Sequence, residues 1–154
     1  RVLFRSLFIL IYLALQLLIP LRHHLYEGDV NWTREGHRFS WRLKANIVRG
    51  TLSIMAVNPA TEEKFAILPF EDLTNEQLAV MSYTPDMMIQ YVHFLEEKLK
   101  AKGIENPIIK MDAKVSLNRR PSYQLVDRDI DLSTKKNSIF SSADWLLKPP
   151  PEYY

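Results

Sequence analysis

The sequence predicts an α+β protein in which an N-terminal transmembrane-type helix precedes an antiparallel, sandwich-like β-sheet domain with one long and one short helix. Three observations support this fold class. An almost unbroken apolar run opens the chain, apolar and polar residues alternate in several later segments, and two helix-start signals lie between those segments. We divide the chain into a membrane-type helix at 1–24, a sheet domain with helices at 25–148 and an extended Pro-rich tail at 149–154.

Counted from Val2, the apolar stretch that ends at Leu21 is close to the roughly 20 residues that cross a bilayer, although Arg5 interrupts it and leaves the shorter, almost unbroken run Ser6–Leu21. Gln16 interrupts it, and a lone amide within a span usually finds its partner on another helix. We therefore expect a helix at the rim of a multi-helix bundle. The alternative, a soluble domain with a core helix, requires protein to cover most of Phe8–Ile19. Because the chain starts at Arg1 without an initiator methionine, we expect upstream helices of the same polypeptide.

Charge patterning restricts partners and orientation. The chain has 20 Lys and Arg against 18 Asp and Glu, which argues against a nucleic-acid-binding protein. The absence of cysteine excludes a disulfide framework, a thiolate zinc site and a cysteine nucleophile. The positive-inside bias favours a cytoplasmic body, since the apolar run is followed by four arginines: Arg22, Arg34, Arg38 and Arg42.

Alternating segments predict the strands of the sheet. The first strand is expected at His37–Ile47, and Thr51–Val57 and Lys64–Phe70 follow it after turns. Pro107–Leu117 alternates again, and Tyr123–Val126 is expected to return as a short strand.

Two helices are predicted between the third and fourth of these strands. Thr74–Gln77 has the sequence of a capping box and starts the short helix. Thr84 and Pro85 start the long helix as N-cap and first helical residue, and Gly103 marks its end. The buried stripe of the long helix is expected to comprise Met88, Tyr91, Val92, Leu95 and Leu99.

Several motifs are better explained without a metal-binding, catalytic or modification role. Asp127, Asp129 and Asp131 have the initial spacing of an EF-hand loop, but Gly at the sixth position and Glu at the twelfth are missing, so we predict no metal site. His93 is expected on the solvated face of the long helix. The glycosylation sequon that begins at Asn31 is a triplet that also arises by chance.

The outward face of the first predicted strand is the candidate binding site. Arg38, Ser40 and Arg42, followed by Lys44, place three cations and a hydroxyl on one face, where they could hold a carboxylate through charge-assisted hydrogen bonds. The neighbouring Trp41 is expected to pack inward. An ordinary solvated strand face is the alternative.

A resemblance to a known family extends over most of the chain. The first matching residues are Pro20, Leu21, Arg22, His23, Gly28, Asn31, Trp32, Thr33, Phe39, Ser40 and Trp41. Later matches are Asn58, Pro59, Asp86, Met87, Gln90, Tyr91, Asp112, Val115, Ser116, Asn118, Gln124, Asp127, Asp131 and Trp145. In this order they resemble the vitamin K-dependent γ-glutamyl carboxylase family and its bacterial relatives.

The resemblance implies an integral membrane protein with its sheet domain on the lumenal or periplasmic side. Enzymes of this family oxidise reduced vitamin K or a related quinone with oxygen to generate a strong base. The base removes a γ-proton from a peptide glutamate, and carbon dioxide adds to the carbanion. The family's lysine base would lie upstream of this chain, so the resemblance implies that this chain alone is inactive.

The resemblance also implies that the stretch from Gly36 to Trp41 binds the substrate glutamate. Ser40 and Trp41 match the family, whereas Gly36 and Arg38 differ from the eukaryotic pattern. The substrate-binding residues predicted by combining strand face and resemblance are Trp32, His37, Arg38, Ser40, Trp41 and Arg42. The leading hypothesis is thus the C-terminal part of a carboxylase-like membrane enzyme, and the alternative is a non-catalytic, membrane-tethered peptide- or ligand-binding module.

Overall fold

The structure is a computed structural model, and it describes residues 2–41, 46–138 and 141–153. The apolar run forms one helix, α1 (Val2–Leu21). From Phe4 to Ile19 its side chains are exposed, and the helix is long and apolar enough to cross a membrane by length and composition. The described residues of this chain therefore do not supply the cover over Phe8–Ile19 that the soluble alternative requires.

A short membrane-proximal segment connects α1 to the sheet domain. A 3-10 turn, Arg22–Leu25, is followed by the one-turn helix α2 (Val30–Thr33). The buried Trp32 of α2 donates its indole N–H to the Leu147 carbonyl over 2.8 Å. This hydrogen bond joins the membrane-proximal segment to the C-terminal part of the chain.

The sheet has four antiparallel strands in the order β2-β1-β3-β4. The strands are β1 (Val48–Val57), β2 (Lys64–Ile67), β3 (Ile108–Leu117) and β4 (Tyr123–Gln124). In the central pair, Val48 lies opposite Leu117 and Val57 lies opposite Ile108. The predicted strands at 51–57, 64–70, 107–117 and 123–126 are therefore confirmed, although their ends differ.

Both predicted helices are present, as α3 (Asn75–Met81) and α4 (Pro85–Ala101). The capping box at the start of α3 is confirmed, since the Thr74 hydroxyl accepts from the Gln77 N–H and the Gln77 side chain accepts from the Thr74 N–H. Thr84 is the N-cap residue of α4 and Pro85 its first residue, as predicted, but the Thr84 hydroxyl donates to the Val80 carbonyl over 2.6 Å instead of accepting from α4.

One face of the sheet and one face of α4 form a shared hydrophobic core. The predicted stripe of α4 is buried, as is every second residue of β3 from Ile109 to Leu117. The layer that covers this sheet face is thus helical. Along the described residues the strands form one sheet, and the fold class is α+β as predicted.

The prediction of a first strand at His37–Ile47 is wrong for its described residues. His37–Trp41 form turns, and residues 42–45 lie outside the described residues. The physical reason lies in the neighbouring strand. β3 ends at Leu117, and Asn118 then adopts a φ of 52°, so β1 has a partner only from Val48 onward. Alternating side chains without a partner strand have no core face to pack on.

Candidate functional site

A cleft of about 600 Å³ opens beside the end of α1. Three parts of the chain form it: residues 34–38 after α2, the start of α4, and residues 134–138 with 141–145. Arg22 and Tyr26, which follow α1 directly, complete the lining. A volume of this order is within the range of ligand sites.

Gly36 allows the first of these segments to pack directly on the end of α1. Its φ is 64°, and a Cβ at this position would lie 2.5 Å from the Tyr26 ring and 2.9 Å from the His23 Cα. Any larger residue would clash there, in a backbone conformation that favours glycine. The cleft is therefore held at the point where the apolar helix ends.

Two hydrogen bonds hold residues 134–138 against α4. The His93 Nε2–H donates to the Lys135 carbonyl over 2.8 Å, and the Asn137 amide donates to the Asp86 carbonyl over 3.0 Å. His93 is half-buried, so the predicted solvated position is wrong. Its ring fixes one wall of the cleft.

The cleft carries an excess of positive charge. Its lining contains five cations, Arg22, Arg34, Arg38, Lys135 and Lys136, and three acids, Glu35, Asp86 and Asp144, which gives 5 − 3 = +2 with His37 neutral. Two of the cations are in ion pairs: Arg38 with Asp86 at 2.9 Å and Lys135 with Asp144 at 2.6 Å. Arg22, Arg34 and Lys136 have no ion pair with any described acid.

Arg22 has a buried donor that nothing accepts from within the described part of the chain. Its Nε is shielded from solvent and has no hydrogen-bond partner there. A buried donor without an acceptor is costly and uncommon in native proteins. The group therefore indicates an acceptor that comes from outside these residues.

Burial shifts the ionisation of two further cleft residues. The pKa of Arg34 is lowered mainly by burial, and its guanidinium lies 4.9 Å from the centre of the Tyr83 ring. The pKa of Glu35 is raised, because burial disfavours its charged form more than the 2.7 Å hydrogen bond from the Ala143 N–H favours it. Glu35 thus holds its proton more readily than an ordinary glutamate.

Of the predicted site residues, His37 and Arg38 line the cleft. His37 donates from Nδ1 to the Arg34 carbonyl, which fixes the turn between them. The Ser40 hydroxyl donates to the His37 carbonyl over 2.7 Å and stabilises the next turn.

Two of the other predicted residues lie elsewhere, and the third is not described. Trp32 is in the core, 1% exposed, and does not line the cleft. Trp41 is 71% exposed, so the prediction that it packs inward is wrong. Arg42 lies outside the described residues.

Sequence patterns did not identify Arg22, Arg34, Glu35 or Lys136 as site residues. Arg34 entered only as a charge that bears on orientation, and Arg22 entered as such a charge and as one of the residues that match the family. No local pattern could have joined Glu35 to Ala143, since they are 108 positions apart in the sequence.

Comparison with known families gives one match over nearly the whole chain. Residues 2–152 match the family model described as "Vitamin K-dependent gamma-carboxylase, lumenal domain". No solved structure matches the chain. A match to a lumenal domain contradicts the cytoplasmic placement favoured by the arginines after α1. The positive-inside bias depends on the loops of every helix in a protein, and here it was counted around one helix.

Proposed function

This chain belongs to the lumenal-domain family of vitamin K-dependent gamma-carboxylases, and we propose that its cleft binds the side-chain carboxylate of a glutamate in a peptide or protein substrate. The chain is then the C-terminal part of a carboxylase-like integral membrane protein. α1 crosses the bilayer beside upstream helices of the same polypeptide, and the sheet domain lies on the lumenal side, or on the periplasmic side in a bacterium.

The observation that carries this proposal is the buried Arg22 Nε, which has no acceptor among residues 2–41, 46–138 and 141–153, in a cleft whose lining has a net charge of +2. A carboxylate supplies acceptor oxygens and negative charge together, and arginine binds it in a fork geometry. His37 and Arg38 line the same cleft and are the predicted contacts with the substrate. Ser40 stabilises the turn that carries His37 and Arg38, and Trp32 fixes the preceding helix α2 in the core. Arg42 lies four positions after Arg38 in the sequence.

The catalytic base is proposed to lie upstream, in the membrane part of the complete protein. A lysine needs an apolar environment to lower its pKa far enough to act as a base near neutral pH. Each lysine that the structure describes is at least partly exposed. This supports a division in which the present chain holds the substrate and the upstream part carries the chemistry.

Reduced vitamin K or a related quinone does not fit this cleft. A quinone with an apolar tail needs an apolar pocket, whereas most of the residues that line this cleft have charged or polar side chains. When bound to the complete protein, the quinone would supply the group whose oxidation generates the base. The residues described here bind and orient a carboxylate.

Carboxylation by the complete protein tests the proposal. With reduced quinone, oxygen and carbon dioxide, we expect label from carbon dioxide to enter a glutamate peptide, and no incorporation when the quinone is omitted. Arg22→Met should raise the KM for the peptide about tenfold with little change in kcat, because hydrogen bonds to charged groups contribute about 1.5–3 kcal/mol. Arg38→Ala and Arg42→Ala are expected to raise KM in the same way.

Arg49→Met is the matched control, since Arg49 is exposed on β1 and does not line the cleft. An unchanged KM in Arg22→Met would remove the cleft from the substrate site, and an unchanged KM in Arg42→Ala would remove Arg42. Peptide binding without incorporation of carbon dioxide would favour the second candidate, a non-catalytic binding module, because a fold can persist when its reaction is lost.

A further inference from the structure

Two aromatic rings stand exposed on the turn that leaves the cleft. We name residues 38–41 the aromatic turn. Phe39 is 77% exposed and Trp41 is 71% exposed. Exposed aromatic side chains of this size, close together in the sequence, commonly mark an interaction surface.

The aromatic turn lies close to the end of the membrane-type helix. Gly36, two residues before it, packs on the Tyr26 ring and the His23 backbone. Leu25, in the 3-10 turn that follows α1, is also exposed. Apolar side chains therefore continue past the end of α1.

The chemistry of the turn matches a membrane interface. Tryptophan is enriched at the level of the lipid headgroups, where its ring is apolar and its N–H can still meet water. Arg38 in the same turn is half-exposed beside Asp86, a position from which an arginine can also reach lipid phosphates. Phe39 has a φ of 62°, a strained conformation for an aromatic residue. Burial of the ring in lipid would compensate for this strain, whereas exposure to water would not.

We infer that the aromatic turn inserts Phe39 and Trp41 into the lipid interface beside α1, as a second contact between this domain and the bilayer. The inference rests on the proposed placement of α1 across the membrane. Two contacts, one helix and one turn, fix the tilt of the domain. The cleft, which begins at the same turn, is thereby held at a set height above the membrane surface.

Spin labelling tests the inference directly, because the chain has no native cysteine. Single cysteines at Phe39 and Trp41 carry a nitroxide in the complete protein, made cysteine-free elsewhere and reconstituted in phosphatidylcholine–phosphatidylglycerol vesicles. Collision with oxygen reports lipid, and collision with a water-soluble nickel chelate reports water. Phe70→Cys is the matched control, since Phe70 is exposed on the 3-10 turn at Pro69–Glu71 after β2. Leu13→Cys reports on the middle of α1.

For Phe39→Cys and Trp41→Cys we expect an oxygen-to-nickel collision ratio at least about threefold above that of Phe70→Cys, because a side chain inserted at the interface meets more of the oxygen that partitions into lipid and less of the chelate that stays in water. A ratio equal to that of Phe70→Cys would overturn the inference, and so would low collision with both reagents, which would mean that upstream protein covers the turn. Leu13→Cys separates the two proposals. If the label at Leu13 also collides mainly with the nickel chelate, the proposal that α1 crosses the membrane is wrong. If only the labels in the aromatic turn do so, this inference alone is wrong.

Quenching by brominated lipids gives a second measurement without a label. Trp32 and Trp145 are buried, 1% and 2% exposed, whereas Trp41 is exposed. We expect brominated lipids to quench the fluorescence of Trp41. Because Trp41→Phe removes this fluorescence, the variant should show a smaller fractional quenching than the unmodified protein. Equal fractional quenching in Trp41→Phe and the unmodified protein would contradict the inference.

Discussion

Asp72 shows at the scale of single residues how the body of the domain is held together. Its carboxylate accepts from the Lys98 ammonium over 2.5 Å and from the Tyr91 hydroxyl over 3.0 Å. The bond from Lys98 is the main cause that lowers the pKa of Asp72, while burial and the neighbouring carboxylate raise the pKa of Tyr91. These bonds join the turn before α3 to the middle of α4 at Tyr91 and to its last turn at Lys98.

The charge of Asp72 is expected to make stability depend on pH. Because its pKa is lowered in the folded protein, the charged form contributes stability at pH values above the ordinary 3.8, and this contribution is lost as the pH falls through the lowered value. Asp72→Asn should lower the free energy of unfolding by about 1 kcal/mol at pH 7. The difference from the unmodified protein should shrink in acid. Urea unfolding in detergent micelles between pH 2 and pH 7 (roughly the range in which an aspartate titrates) measures both effects.

Glu27→Gln is the control for Asp72→Asn. Glu27 pairs with Lys148 at 3.7 Å, with both side chains mostly exposed, and such pairs contribute little. We expect no measurable change in unfolding free energy. A pH-independent effect of Asp72→Asn would show that lost packing, and not lost charge, destabilises the variant.

Contact between α3 and β1 illustrates the scale of elements. Gly50 in β1 has no room for a side chain, because a Cβ there would lie 2.5 Å from the carbonyl oxygen and hydroxyl of Ser82, directly after α3. The hydroxyl of Ser82 is itself bonded to the Ala79 carbonyl over 2.7 Å. Neither group can move away without disturbing the end of α3.

Gly50→Ala is therefore expected to destabilise the domain by about 1–3 kcal/mol, as overpacked cores do. Ser53→Ala, at an exposed position on the same strand, is the control and should change the unfolding free energy by less than about 0.5 kcal/mol. Equal stabilities of the two variants in urea unfolding would show that α3 does not pack on β1 at Gly50.

The elements that sequence reasoning found are those whose signals are local. The capping box at Thr74, the stripe of α4 and the alternation of β3 each depend on residues a few positions apart, and all are present. The strand at His37–Ile47 had the same alternation. It failed because pairing depends on where β3 ends, which no pattern within those residues records.

The cleft could be predicted only in part for the same reason. His37 and Arg38 belong to the stretch that the family resemblance and the charge pattern both selected. Arg22 and Glu35 become site residues only because residues 134–138 and 141–145 form the opposite wall of the cleft. The hydrogen bonds of His93 and Asn137 hold this wall against α4. The residues next to His93 and Asn137 in the sequence do not predict these bonds.

At the scale of the whole molecule, the segment that follows α1 meets the C-terminal tail. Tyr153 is buried against Trp32 with its ring edge-on at 4.9 Å, and the Arg120 guanidinium contacts both the Tyr153 carbonyl and its ring. The segment that leaves α1 is thus fixed to the sheet domain through the C-terminal tail. The cleft lies beside the end of α1, between this segment and the first turn of α4.

The central claim, that the cleft recognises a carboxylate, is tested most directly by equilibrium binding of two peptides that differ only in one glutamate or glutamine. Glutamine has the same shape without the charge, so the ratio of the two dissociation constants isolates the carboxylate. We predict that the complete protein binds the glutamate peptide about tenfold more tightly, and that Arg22→Met loses most of this difference. Equal affinity of the unmodified protein for both peptides would contradict the account.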